Sequence, residues 1–127
     1  MRFRSLYVPL ITLMAVGCGT DCLSIAGMAF IVTVRDARTQ QPLIAGTTLV
    51  VYGTAGADSI TYPDDTPPTV TSLMLSEGRL NEGIYTVEVR RPGYVTWRRE
   101  NVRLEDGECG HPKEPVRLTV LLAPTQQ

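Results

Sequence analysis

Residues 83–93, GIYTVEVRRPG, predict the fold more clearly than any other stretch of the chain. Apolar and polar side chains alternate along this stretch, and successive side chains of a β-strand point to opposite faces. Tyr85, Val87 and Val89 would therefore face a core, while the residues between them would face solvent. Pro92 and Gly93 follow directly and are typical of a turn. The stretch predicts a half-buried strand followed by a reversal of the chain.

Shorter stretches of the same character lie on both sides of this strand. They are residues 30–35, 47–52, 69–75, 94–100, 102–104 and 116–122, with a further short strand at 59–62 inside a loop rich in glycine, proline and aspartate. In the last stretch Leu118 and Val120 share one face, so we expect them in the core beside Val87 and Val89. No window has the pattern of an amphipathic helix. About seven short strands with regular turns predict a single antiparallel β-sandwich spanning residues 28–124.

Several short motifs follow one another along this predicted sandwich. They are VRD at 34–36, TQQPL at 39–43, GIYTVEV at 83–89, PGY at 92–94 and CGH at 109–111. In this order the chain resembles the carboxypeptidase regulatory-like domains, which are prealbumin-like (transthyretin-like) β-sandwiches. The resemblance covers residues 29–122 and implies a seven-stranded Greek-key sandwich. It also implies a module without catalytic residues or a cofactor.

The N-terminal segment has the layout of a secretory signal. Arg2 and Arg4 precede an apolar run at residues 6–16, which is followed by glycine and Cys18. The run is too short for a membrane-spanning helix, which needs about 20 residues. AVGC at 15–18 resembles a bacterial lipobox. This resemblance implies that residues 1–17 are removed, that Cys18 is acylated, and that residues 18–27 form a lipidated tether. An ordinary cleaved signal with an unmodified Cys18 is the alternative.

The lipobox also implies a location. A lipoprotein of this kind belongs to the bacterial cell envelope, and two or more acyl chains hold it stably to a membrane. Gly19 follows the cysteine, in place of the aspartate that tends to retain lipoproteins in the inner membrane. We therefore expect the protein at the outer membrane, facing the periplasm or the surface.

Composition narrows the range of partners and cofactors. Lys and Arg number 12 against 13 Asp and Glu, and this near balance argues against nucleic acid, which usually requires a strongly basic face. If Cys18 is lipidated, Cys22 and Cys109 remain as an even pair in an oxidising compartment, which favours a disulfide. A metal site is the alternative for these cysteines, but it needs three or four ligands and the chain has one histidine, His111. We predict no metal and no cofactor.

The residues around position 97 are the candidate partner surface. Trp97 is followed by Arg98 and Arg99, and an exposed indole beside arginines could bind a partner, whereas packing of Trp97 in the core is the alternative. The sequence favours a non-catalytic, lipid-anchored envelope protein with a structural or protein-interaction role, whose partner is an unidentified envelope protein, peptide or glycan. A carbohydrate- or peptide-binding module is the second interpretation. A transthyretin-like hydrolase of 5-hydroxyisourate would need several histidines and a tyrosine-containing C-terminal motif, which this chain lacks.

Overall fold

The structure is a computed structural model that describes residues 27–107 and 114–126. Its strands are β1 (Met28–Asp36), β2 (Thr48–Gly53), β3 (Gly56–Thr61), β4 (Ser72–Ser76), β5 (Gly83–Arg90), β6 (Trp97–Leu104) and β7 (Val116–Leu122), and a short 3₁₀ turn is formed by Glu77–Arg79. The all-β class expected from the sequence is confirmed. β3 is longer than the short strand predicted at 59–62, and β4 begins later than the strand predicted at 69–75.

The seven strands form two sheets. One sheet has the order β4-β1-β7 and the other the order β3-β2-β5-β6. All neighbours in the second sheet are antiparallel. In the first sheet β4 is antiparallel to β1, but β7 is parallel to β1, with Phe30 opposite Val116 and Asp36 opposite Leu122. The prediction of a purely antiparallel sandwich is therefore wrong for this pair.

The direction in which the chain leaves β6 explains the parallel pair. β6 ends opposite the start of β5, where Leu104 pairs with Gly83. That end is also where β1 begins, because the carbonyl of Gly27 accepts the backbone N–H of Glu77 (3.1 Å) in the turn that precedes β5. A strand that follows β6 must therefore run in the direction of β1. We call the end where β1 begins the tether end, and the end where β1 finishes the far end.

β6 is a single strand where the sequence predicts two. A β-bulge interrupts its pairing with β5 between Tyr85 and Val87. Asn101 adopts a left-handed φ of 58° there, a conformation that asparagine tolerates better than most residues. Because the bulge adds one residue, Val102 returns to the inner face, although regular alternation from Trp97 would place it outside. Because the alternation is broken at this point, the sequence predicts two short strands where the structure has one.

The inner faces of both sheets share one apolar core. The rings of Phe30 in β1 and Tyr85 in β5 meet edge to face, with centroids 6.2 Å apart, so the two sheets are in contact. The largest fully buried side chains come from both sheets and are Tyr85, Phe30, Leu49, Leu73, Leu104, Leu122, Val32, Val34, Val51, Val87, Val89 and Val120. This arrangement is compatible with a seven-stranded β-sandwich.

Three of the four predicted core residues are confirmed as such. Val87, Val89 and Val120 are fully buried. Leu118 is only partly buried and packs against the margin of the core. It lies near the start of β7, an edge strand of its sheet in which Val120 and Leu122 are fully buried, so the core covers the inner side of this strand incompletely only toward its start.

Candidate functional site

A buried carboxylate organises the far end of the sandwich. Asp36 is the last residue of β1, and its side chain is buried. Its Oδ1 atom accepts the backbone N–H groups of Arg38 (2.7 Å) and Thr39 (3.0 Å). Its Oδ2 atom accepts the phenol O–H of Tyr94 (2.7 Å), which belongs to the connection between β5 and β6. The carboxylate thus fixes the turn after β1 and ties it to the other sheet.

These hydrogen bonds shift the pKa of both side chains. The pKa of Asp36 is lowered, first by the O–H of Tyr94 and then by the N–H groups of Thr39 and Arg38, because all three donors favour the charged carboxylate. The pKa of Tyr94 is raised, because Asp36 holds its proton and because the phenol is partly desolvated. Asp36 is therefore ionised and Tyr94 protonated at neutral pH. A carboxylate that already accepts three donors suits a structural role better than proton transfer.

Two further contacts surround this pair, and the second of them joins the two sheets. The guanidinium of Arg91 lies over the ring of Tyr94, 5.3 Å from its centroid. The backbone N–H of Val95 donates to the carbonyl of Ala123 beyond the end of β7 (2.8 Å). A shallow cavity of about 610 Å³ is lined by Ala37, Arg38, Ala123, Pro124, Thr125 and Gln126. Its lining carries a single charged side chain and no acid–base pair.

Replacing Tyr94 with phenylalanine should lower the free energy of unfolding at pH 7 by about 1 kcal/mol, the usual net value of one intramolecular hydrogen bond. Because the pKa of Asp36 is lowered in the folded state, its contribution is present above the unfolded pKa and is lost as the pH falls through the folded value. The stabilities of the wild type and the variant should therefore converge in strong acid, which urea unfolding at pH 7 and in acid would measure.

Tyr62→Phe is the matched control for this prediction. The hydroxyl of Tyr62 accepts the uncharged backbone N–H of Met74 (3.1 Å), so the stability lost in this variant should be the same at both pH values. A deficit of Tyr94→Phe that persists undiminished in strong acid would contradict a hydrogen bond to a charged Asp36.

The structure separates the three residues of the candidate partner surface at the start of β6. Trp97 and Arg99 lie on the core-facing side of this strand, opposite two valines of β5, whereas Arg98 lies on its outer side. Trp97 is partly buried against the core, and the guanidinium of Arg99 lies 5.3 Å from the centre of its ring. Arg98 instead forms an ion pair with Glu100 (2.8 Å). Trp97 and Arg99 are thus together, and Arg98 is apart from them.

A second surface, which no sequence motif indicated, lies on the outer face of the four-stranded sheet. It is a shallow groove of about 460 Å³, lined by Tyr52, Gly53, Thr54, Ile84, Tyr85, Thr86, Glu100 and Asn101. The alternation in β2 could have predicted the position of Tyr52 on this surface. Leu49 and Val51 are fully buried, so Tyr52 must point to the opposite face of the sheet. The groove lies outside the core and combines an aromatic ring with polar side chains.

Cys18, Cys22, Cys109 and His111 lie outside the described residues. Within residues 27–107 and 114–126, no three or more His, Cys, Asp or Glu side chains are grouped so that they could hold a metal ion. No helix in this part of the chain is long and apolar enough to cross a membrane. Compared with models of known protein families and with curated protein sequences, the chain matches none.

Proposed function

We propose that the protein is a non-catalytic lipoprotein of the bacterial outer membrane, in which a prealbumin-like Greek-key sandwich acts as a structural or protein-interaction module. One observation carries this proposal: an all-β domain begins only a few residues after a lipobox-like motif. β1 begins at Met28, and residues 18–27 span at most about 35 Å when fully extended. A domain so close to an acylated Cys18 would be held next to the lipid surface.

The titratable groups with shifted pKa values support a non-catalytic role. A shifted pKa often marks an active site, but among the described residues each shift arises from burial or from a contact that holds the fold together. Asp36 and Tyr94 join the turn after β1 to the connection between β5 and β6. Burial raises the pKa of Tyr85, whose phenol O–H donates to the carbonyl of Asn81 ahead of β5. These groups fix loops, and the resemblance to carboxypeptidase regulatory-like domains implies the same absence of catalysis.

The charge of the tether end indicates how the domain would be oriented relative to the membrane. The acidic side chains described at this end lie in or near the 3₁₀ turn, after β6 and before β7, and they are Glu77, Glu82, Glu105, Asp106 and Glu114. The basic residues described there are Arg79 in the 3₁₀ turn, Arg103 near the end of β6 and Arg117 near the start of β7, so the net charge of this end is slightly negative. Anionic lipid headgroups would repel this end over roughly a Debye length, about 8 Å at physiological ionic strength. The far end and the outer faces of both sheets would then be open to a partner.

The pairing of β1 and β7 supports a disulfide between Cys22 and Cys109. The two strands are parallel neighbours, so both begin at the same end of the sandwich. Cys22 and Cys109 precede the paired residues Phe30 and Val116 by nearly equal lengths of chain. Closing so long a loop would stabilise the fold by roughly 4 kcal/mol in the chain-entropy model.

Replacing Cys18 with serine should abolish metabolic labelling with a radioactive fatty acid and release the protein from the membrane fraction, because the acyl chains provide the anchor. Cys22→Ser is the matched control. It carries the same substitution a few residues later, outside the lipobox-like motif, and should remain labelled and membrane-bound. Labelling of Cys18→Ser at the wild-type level, or its loss in Cys22→Ser, would contradict the assignment of the anchor to Cys18.

An intact mass of the purified, unreduced wild-type protein tests the rest of the same proposal. The chain should begin at Cys18 with its acyl groups, and its mass should be lower by two hydrogens than that of the reduced chain. Two free thiols in the exported protein would contradict the disulfide without affecting the anchor.

A further inference from the structure

The groove on the outer face of the four-stranded sheet has an aromatic and aliphatic floor. Tyr52 of β2 lies between two smaller neighbours, Ala57 of β3 and Thr86 of β5. It borders the groove of about 460 Å³ on one side and a depression of about 270 Å³ on the other. Ile84, which is 51% exposed, continues the floor toward the tether end. The volume of the groove falls in the range of about 300–1,000 Å³ that is typical of small-ligand sites.

The bulge of β6 forms one wall of this groove. It sets two residues, Glu100 and Asn101, opposite Thr86, where a regular strand would set one. Both residues line the groove. Asn101 holds its left-handed φ of 58° at this point, and bulges often redirect side chains next to binding sites. The irregularity of β6 thus brings a carboxylate and an amide to the same wall.

The charges around the groove are balanced. Glu100 forms an ion pair with Arg98 (2.8 Å). Arg103, which lines the adjoining depression beside Ile84, lies 3.9 Å from Glu105. These pairs are exposed and contribute little to stability, but they leave no large excess of one charge facing a ligand. The groove is therefore suited to an uncharged molecule.

We propose that this groove binds a neutral oligosaccharide. A sugar ring has an apolar C–H face that packs on an aromatic ring, and its hydroxyls require both donors and acceptors. Tyr52 and Ile84 offer the apolar floor, while Thr86, Glu100 and Asn101 offer the polar partners. An extended peptide commonly adds a strand to a sheet edge, whereas the floor of this groove, Tyr52 and Ile84, lies on the two inner strands β2 and β5. The proposal names a partner for the interaction module proposed above and does not depend on the lipid anchor.

Titration of the full chain in detergent micelles with cellotetraose tests this proposal. Amide chemical shifts of the ¹⁵N-labelled protein should change saturably at Tyr52, Thr86 and Asn101, with a dissociation constant of about 0.1–1 mM, as expected for a shallow, open site. Tyr52→Ala should weaken binding at least about tenfold, because it removes the stacking surface. Asn101→Gly should weaken binding about threefold while keeping the bulge, because glycine adopts a positive φ without strain.

Leu121→Ala is the control variant, because it shortens an exposed apolar side chain on the other sheet. It should bind cellotetraose as the wild type does. Absence of saturable shifts, or shifts centred on Trp97, would overturn the groove as a sugar site and leave the proposed lipid anchor untouched. Cleavage of the cellotetraose with shifts at Tyr52 would support binding in the groove and overturn the proposed non-catalytic role, so the two proposals fail separately.

Discussion

Replacing Val87 with aspartate should leave the domain unfolded at room temperature. Val87 lies in the middle of β5, opposite Val51 of β2, and its side chain is fully buried. A carboxylate at this position would be removed from water among apolar side chains without a partner, which costs several kcal/mol. Total stabilities of single domains are about 5–15 kcal/mol. The variant should therefore lose the far-ultraviolet circular dichroism of a β-protein and show no cooperative transition in urea.

Ile84→Asp separates the effect of burial from the effect of a charge in β5. Ile84 is in the same strand but on its outer face, and it is 51% exposed, so the new carboxylate remains hydrated. This variant should unfold cooperatively within about 1 kcal/mol of the wild type, as exposed substitutions usually do. If Val87→Asp unfolded at the same urea concentration as Ile84→Asp, the inward orientation of Val87 would be wrong.

The strands were predictable from the sequence where alternation is uninterrupted. β5, β2 and β1 from Phe30 onward place every second residue on the buried side, and β7 follows the same period with Val116 and Leu118 only partly covered, so a period of two in the sequence predicts these strands. The alternation says nothing about the direction of the neighbouring strand. The parallel pair of β1 and β7 depends on where β6 ends, which is a property of the whole chain path. The sequence predicts two strands in place of β6, because one extra residue at Asn101 shifts the phase of the alternation.

The polar features of the fold were harder to predict, because they join distant parts of the chain. Asp36 and Tyr94 are 58 residues apart in the sequence. No local sequence pattern around either residue predicts that the two side chains form a hydrogen bond. Trp97 stands next to two arginines in the sequence, which favours an exposed position, yet it is partly buried against the core. Tyr52 is in a regular strand. The sequence does not show that it borders a groove, because the groove also requires Thr86 and the bulge of β6.

Replacing Gly56 with alanine should destabilise the domain by about 2–4 kcal/mol, through backbone strain and a clash that a rigid neighbour cannot relieve. Gly56 begins β3 with a φ of 157°, and a Cβ atom on it would lie 2.3 Å from the carbonyl oxygen of Arg79. The neighbouring backbone is held in place, because Gly56 pairs with Gly53 on one side and with Leu80 on the other. The hairpin of β2 and β3 would therefore have to move away from the 3₁₀ turn.

Gly78→Ala is the matched control, since it adds the same methyl group within the 3₁₀ turn that Gly56 contacts. The nearest atom to a Cβ at Gly78 is the Oγ of Ser76 at 4.0 Å, so the methyl group enters open space and the free energy of unfolding should change by less than about 0.5 kcal/mol. Urea unfolding of both variants measures the contrast. Equal stability of Gly56→Ala and Gly78→Ala would contradict the close approach of the start of β3 to the backbone of Arg79 in this turn.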